Sequence, residues 1–564
     1  MKIKERFLSL MNKIWFYIKN HPFVVGFSLL FYIGAIVIYC FASKELYARL
    51  HFELSEIASC DANLFYTVGR FMASGKRPYL DAYENKPPII FLISELSYLM
   101  SGGFYLVNVS SFLCCLNLLL VPLAICIIVS IKRKMSYVST SLMSVLVFII
   151  SIFLMFYAEA RSGEVMCELF GASALVDAIL CLAILPKDKK IHFYDARIIL
   201  SGFFFGVAAM FKEPFALLGI FVYLLLVENK KDLLNKVVLP ISYAIFTVFV
   251  ILLATNSIEG YFTIYLPNML NNHITDNDLS LTDRMKDFRR LFDDINAFSK
   301  YLFMLVVVLL FLSVLRSVTL FNDEHPYLAL PLRVTRILLP FIYLYIASLC
   351  VGLGGQYFWH HYAFALPLYY SVLIDSGLFI GEQLTTVSSY PLSKDNFKEA
   401  AKELNKPFVS VSIVAVLTLT IISGYGLKKH EFKMKEEEMV NYVKKAKEDA
   451  EYIDAVLDKL GYDSYLFIGF NGTDRPYCYT KHLPLGPTFV QDKDNFKEKD
   501  TFFVNSFLED LHATNIIVFS SYQIPVIEDE VKQYIADNFE TNKPEAVNEI
   551  NKPVTFFYTL YFRK

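Results

Sequence analysis

The sequence predicts an α-helical polytopic membrane protein of about eleven transmembrane helices, N-terminus in and C-terminus out, with a C-terminal soluble α/β domain. Three observations carry that expectation. The 564 residues are 55% hydrophobic and only 19% charged, and the mean hydropathy of +0.43 is that of a chain living largely in lipid. Basic clusters recur at alternate ends of the apolar runs. From about residue 427 the composition turns soluble.

A spanning helix needs roughly 20 mostly apolar residues. That measure places spans near 23–43, 104–131, 136–157, 165–185, 196–211, 215–228, 236–255, 300–316, 335–353, 361–381 and 407–426. Residues 88–101 are apolar but short and end at Gly102-Gly103, so they read as a surface helix or as the start of the second span. Lys2, Lys4, Arg6, Lys13 and Lys19 precede the first span and put the N-terminus in the cytoplasm. Its apolar run continues for a full span with no small-residue cleavage site, which makes it a retained helix. On this count Lys132-Arg133-Lys134, the lysines from Lys187 to Lys190, Lys230-Lys231, Arg333 and Arg336 all face the cytoplasm. One missed helix would send half of them outside. An odd number of spans leaves the C-terminus outside.

The domain division follows: residues 1–426 form the membrane domain with a first external loop at 44–103, and 427–564 an extracytoplasmic α/β domain. Within the latter, Lys433 to Leu460 has helical spacing, and Tyr465 to Phe470 and Asn515 to Ser520 look like buried strands. Val526 to Phe539 reads as a helix after Pro525, and Val554 to Phe562 as a closing strand or hairpin. Glu382 to Lys406 is a polar cytoplasmic linker. A net charge of −2 disfavours nucleic acid as a partner. The nine cysteines sit mostly in apolar runs without a C-x-x-C pair, so neither a disulfide framework nor a zinc ribbon is expected.

Polar residues of another kind gather in the outer loops. The densest stretch, Ser59 to Ile90, holds Asp61, a Gly75-Lys76-Arg77-Pro78-Tyr79 loop, and Glu84 and Lys86 ahead of Pro87-Pro88. Others are Glu159-Ala-Arg161-Ser-Gly-Glu164, Lys212-Glu213-Pro214, the loop of about 256–299 with His273 and the charge run Asp283 to Arg290, and Gln356 to Tyr362 with His360-His361. Ionisable groups this close to a bilayer are costly unless they serve something. A transporter would hold them near mid-membrane, often in two related halves. Here they converge on one face, and no internal repeat is visible.

The residue order from Asp61 to Pro88 resembles the first external loop of the GT-C glycosyltransferases. These membrane enzymes take a sugar from a polyprenyl-phosphate carrier, and they include protein O-mannosyltransferases and the aminoarabinose transferases of lipid A. The resemblance implies that Asp61 activates the acceptor nucleophile as a general base. Its plain alternative is an N-cap for the helix that follows. Many relatives have Asp-Glu here; this chain has Asp61-Ala62. Lys86 resembles the family lysine that meets the carrier phosphate, against a snorkelling interfacial lysine. Arg161, His360 and His361 would join it in binding that phosphate, with Glu84, Glu159, Glu164, Lys212, Gln356 and Tyr362 as supporting or acceptor-side residues. Arg161 and Glu164 could equally be an i,i+3 pair, and Lys212-Glu213 a helix-hairpin turn with an internal ion pair. Arg70 and Arg77 are weaker candidates for the same anion and read more simply as interfacial anchors. Glu168 extends the polar face below Glu164. The resemblance leaves a divalent metal open, with Glu84 and His273, or His360 or His361, as ligands, beside the simpler reading of Glu84 as ion-pair partner of Lys86.

Together these residues imply a membrane glycosyltransferase of the inner membrane. Its partners would be a polyprenyl-phosphate sugar, the bilayer and an extracytoplasmic glycan, lipid or protein acceptor. Two other classes stay open: a transporter or flippase of lipid-linked sugars, and an envelope scaffold acting through its outer domain. No G-x-G-x-x-G, Walker lysine loop, H-E-x-x-H or G-x-S-x-G accompanies these sites.

Overall fold

The computed structural model of the protein describes residues 60–162, 165–185, 191–273, 289–319, 326–352, 358–388, 436–469, 476–550 and 558–564. The expected spans at 23–43 and 407–426 lie outside these residues. The first described helix, α1 (Cys60–Ala73), carries Asp61 in its first turn and Arg70 in its last, the arrangement that the helix dipole favours at both ends. α2 (Ile89–Ser101) crosses it at Gly69. A methyl group there would lie 2.5 Å from the backbone nitrogen of Glu95, so only glycine lets the two backbones approach. α2 ends at Gly102, whose φ of 64° is left-handed and whose N–H donates to the Tyr98 carbonyl. That stop makes residues 89–101 a helix of their own rather than the start of the next span. Leu96, Leu99 and Met100 on its far side are exposed.

The bundle follows as α3 (Tyr105–Lys132), α4 (Tyr137–Ser162), α5 (Cys167–Ala183), α6 (Ala196–Phe211), α7 (Pro214–Leu225) and α8 (Leu233–Ala254). Then come α9 (Arg290–Phe298), α10 (Lys300–Thr319), α11 (Pro326–Gly352), and a 3-10 turn, Trp359–Ala365, that runs into α12 (Leu366–Ser388). Among the described residues, five segments are long and apolar enough to cross a bilayer: Tyr105–Lys132, Leu233–Ala254, Lys300–Val318, Ala329–Gly352 and Trp359–Thr385. The chain is a multi-pass membrane protein. The last of these segments is almost wholly enclosed by its neighbours, which is what apolar residues on every side of a helix require. By contrast, α8 turns Ile245, Phe246, Phe249 and Leu253 outward. The short pair α6 and α7 is split at Lys212-Glu213-Pro214, where Pro214 supplies the first position of the new helix.

The region expected as a long outer loop is partly helical. Residues 258–273 form a helix with two wide π-type stretches, held by Ile264 and Tyr265 packing on the α1–α2 loop side of the core. α9 begins where the charge run ends and buries Leu291, Ile295 and Phe298.

The C-terminal unit is the expected small α/β fold. Its elements are α13 (Glu436–Leu460), β1 (Leu466–Ile468), α14 (Phe502–Ala513), β2 (Ile516–Phe519), α15 (Glu528–Asn538), β3 (Phe539–Glu540) and β4 (Thr559–Arg563). The sheet order is β1-β2-β4-β3. β1 and β2 are parallel with Phe467 opposite Val518, and β4 is antiparallel to both β2 and β3. A parallel pair needs a crossover, and α14 lies in it. Thr501 caps that helix by accepting from the Val504 N–H.

This unit sits directly on α1. Arg70, which the sequence reading placed at the membrane interface, is buried instead, 5% exposed. It donates to the carbonyls of Tyr477 at 3.0 Å and Cys478 at 3.1 Å, and also to that of Thr480. Phe71 packs on Phe489 and Tyr83 on Phe503, with ring centroids 5.5 and 4.7 Å apart. Charge-assisted bonds of this kind are worth about 1.5–3 kcal/mol each. Arg70→Leu should therefore weaken docking of residues 436–564 by about 2–4 kcal/mol. Limited proteolysis would cut this unit faster while the helical circular dichroism holds; an unchanged cleavage rate would count against the arginine as the docking peg.

Candidate active site

Each polar residue at this end of the bundle is delivered by a break in an apolar element. Asp61 lies in the first turn of α1. Glu84 and Lys86 lie in the loop to α2, which is clamped by Tyr79. That tyrosine adopts a left-handed φ of 68°, is fully buried, and donates its hydroxyl to the Lys86 carbonyl at 2.8 Å. Glu168 opens α5, Lys212 occupies the α6–α7 break, and His360 and His361 lie in the 3-10 turn before α12.

These groups converge. Lys86 Nζ stands 4.0 Å from Glu84 Oε1 and 5.8 Å from the centre of the Phe65 ring, a cation–π distance. Burial alone would lower the Lys86 pKa, but the negative charges of Asp61 and Glu84, with Cys167 and Glu168 beyond, outweigh it and raise it above its usual value. Glu84 goes the other way: burial lifts its carboxyl to about 7, and the attraction of Lys86 only partly opposes this. Repulsion from Asp61 adds to the lift, as does Asp492 of the C-terminal unit.

Glu168 is the hub of the other half. It is fully buried, 3.9 Å from Lys212 Nζ and 3.9 Å from His361 Nε2, and neither of its oxygens accepts a hydrogen bond. The charges acting on His360 are those of Glu168, Lys86, Lys212 and Asp61, in that order. Asp61, Glu84 and Glu168 thus lie close enough to act on a cluster of two ammonium groups and both imidazoles. The imidazoles stand nearly perpendicular to each other with centroids 4.5 Å apart.

Lys212 and Glu213 do not form the expected internal pair. Lys212 turns to Glu168, while Glu213 accepts from the Tyr265 hydroxyl. Arg77 bridges Asp81 and Glu259, not the interface. Tyr362 packs partly buried against the bundle core. The side chains of Glu159, Arg161 and His273 lie outside the described residues, as do Glu164 and Gln356.

Glu168, expected only to extend the polar face below Glu164, is instead the centre of a buried cluster. Its signal is an acid inside the apolar run Val165 to Leu169. Asp492 and Asn495 could not be found by sequence, since they reach the site from the C-terminal unit. Asn268 links three segments there, donating to the Tyr83 hydroxyl at 2.5 Å and to Asn495 Oδ1 at 3.0 Å.

Among the described residues, the group suited to a metal is Glu168, His360 and His361, whose ligand atoms lie within 4.8 Å of one another. The donor set of one carboxylate and two imidazoles is one that zinc accepts. Glu168 has an open carboxylate and His360 an Nδ1 without a hydrogen-bond partner, so the residues fit a divalent ion. The Lys212 ammonium competes for the same carboxylate.

No protein-family model and no curated protein matches this chain. Two solved structures are similar to it at 13% identity. One is ArnT from Cupriavidus metallidurans bound to undecaprenyl phosphate, at a TM-score of 0.47 over 95% of this chain and 98% of that one. The other is the Archaeoglobus fulgidus oligosaccharyltransferase in complex with zinc and sulfate, at 0.42 over 84% of this chain and 65% of that one. At that distance neither likeness carries functional weight; the side chains do.

Proposed function

We propose that this protein is a GT-C-type glycosyltransferase of the cytoplasmic membrane. It would transfer one sugar from a polyprenyl-phosphate donor to an acceptor outside the cytoplasm. The observation that supports this most is the shared field of Asp61, Lys86, Lys212, Glu168 and His360 at one end of an apolar bundle. Asp61 takes the proton from the acceptor hydroxyl or amine, and that oxygen or nitrogen attacks the anomeric carbon. The bond from this carbon to the phosphate oxygen breaks, and the lipid phosphate leaves with the electron pair. Lys86, Lys212 and the imidazoles neutralise the charge that grows on it. By the family resemblance Arg161 would belong to the same group. Most of the rate then comes from positioning and from charge stabilisation in a site shielded from water.

Asp61→Asn should reduce transfer from a labelled polyprenyl-phosphate sugar by about 10²–10⁴-fold, with unchanged membrane insertion and donor binding. Full activity would remove the assigned base. Movement of labelled carrier across vesicles without a new glycosidic bond would favour a flippase.

Glu84 supplies a pH test. Below about 7 it is largely protonated, so Lys86 meets the donor phosphate with one anionic competitor fewer. As pH rises through that value the carboxylate forms and competes. Donor affinity should fall roughly tenfold between pH 6 and 8, and Glu84→Gln should flatten most of that slope. An unaltered slope in the variant would assign it to other groups.

A further inference from the structure

The far end of the same helices holds a polar chamber that the transfer chemistry does not use. A cavity of about 1380 Å³ opens there, lined by the C-terminal ends of α3, α5 and α7, the first turns of α8, and inner residues of α10, α11 and α12. Along α5, Glu168 and Ala183 mark the two sites, and fifteen residues of helix separate them by about 22 Å. The chamber is therefore distinct from the candidate active site.

Its floor is a closed charge network. Arg316 is buried and pairs with Asp375, with Glu228 at 3.3 Å and with Glu382 at 3.5 Å. Arg336 donates to Asp375 at 2.9 Å and to the Val227 carbonyl at 2.8 Å. Arg133 binds Glu228 at 2.5 Å and also Glu382. Three arginines thus balance three acids, and Lys236 balances Asp232 at 2.9 Å. Two lysines of the lining remain. Lys132 Nζ reaches only the carbonyls of Ala183 and Leu185, at 2.9 and 2.8 Å, and Lys231 has no carboxylate partner among the described residues. Arg336 Nε is buried with no acceptor.

The wall above that floor is apolar, with Ile125, Val129, Ile179, Leu182 and Leu378 among its residues. A surplus of two positive charges and an unused buried N–H call for an anion. The apolar wall calls for a ligand with a hydrocarbon tail. We infer that this chamber binds the phosphate headgroup of an anionic lipid drawn from the leaflet on that side, with the tail along the apolar wall. The unused Arg336 Nε–H and the rim lysines supply donors and positive charge suited to a phosphate ester, and juxtamembrane lysines add attraction to anionic lipid.

Native mass spectrometry of the full chain in detergent tests this, with phosphatidylglycerol, phosphatidylcholine and inorganic pyrophosphate titrated separately. Phosphatidylglycerol should be retained at roughly tenfold lower concentration than phosphatidylcholine. The double variant Lys132→Gln/Lys231→Gln should lose most of that preference, while Lys86→Gln at the other end should keep it. Should the double variant fold poorly, Lys231→Gln alone, an exposed change, should lose part of the preference. Equal retention of the two lipids, or a preference surviving in both lysine variants, would overturn the inference. So would a loss produced equally by Lys86→Gln, or pyrophosphate binding as tightly as phosphatidylglycerol.

Discussion

An ammonium group kept out of water must have carboxylates around it, and that requirement organises the candidate active site. Lys86 is enclosed by the α1–α2 loop, so Asp61 and Glu84 must face it for the loop to fold over it. Asp61 in turn needs α1 to begin where it does, and α1 needs the C-terminal unit, whose carbonyls take the Arg70 guanidinium. The apparently separate soluble fold is therefore part of the support of the membrane site. It even contributes a charge, through Asp492, to the environment of Glu84.

The same rule applies at the other end of the bundle with a different balance. There three arginines and three acids neutralise one another in a network inside the apolar helices. Breaking one member of such a network leaves an uncompensated charge, which costs far more than the pair contributes. The result is a helix core pinned at both ends by charge and filled between them by apolar packing. α12 runs between the two networks, carrying Asp375 within it and following directly from His360 and His361.

Burial also divides the carboxylates of the active site by function. Glu84 is lifted to about 7, so its charge changes near neutral pH. Glu168, with open oxygens beside Lys212 and two imidazoles, is the point around which basic groups collect. Asp61 stands between the two halves and acts on both Lys86 and His360. Carboxylates, ammonium groups and a pair of imidazoles from four separate segments of the chain thus act on one another at this end of the bundle.

Most helix positions were legible from the sequence, because apolar runs of bilayer length leave few alternatives. The apolar runs from 104 to 381 reappear as helices with ends shifted by up to nine residues, and the break at Lys212-Glu213-Pro214 is where the proline requires it. The strands around Leu466, Ile516 and Thr559 were legible for the same kind of reason, as short β-branched and aromatic runs. Asp61, Lys86 and the paired histidines could be singled out as charges with no business near lipid. Their partners could not. Whether Lys212 turns to Glu213 or to Glu168, and whether Arg70 faces lipid or a distant carbonyl, depends on which helices pack side by side. Sequence determined where the chain is apolar and where it breaks, since those are local properties. Only the tertiary structure decided which charges share a pocket, because each buried charge takes the partner that three-dimensional packing brings within reach, however far away it lies in the chain.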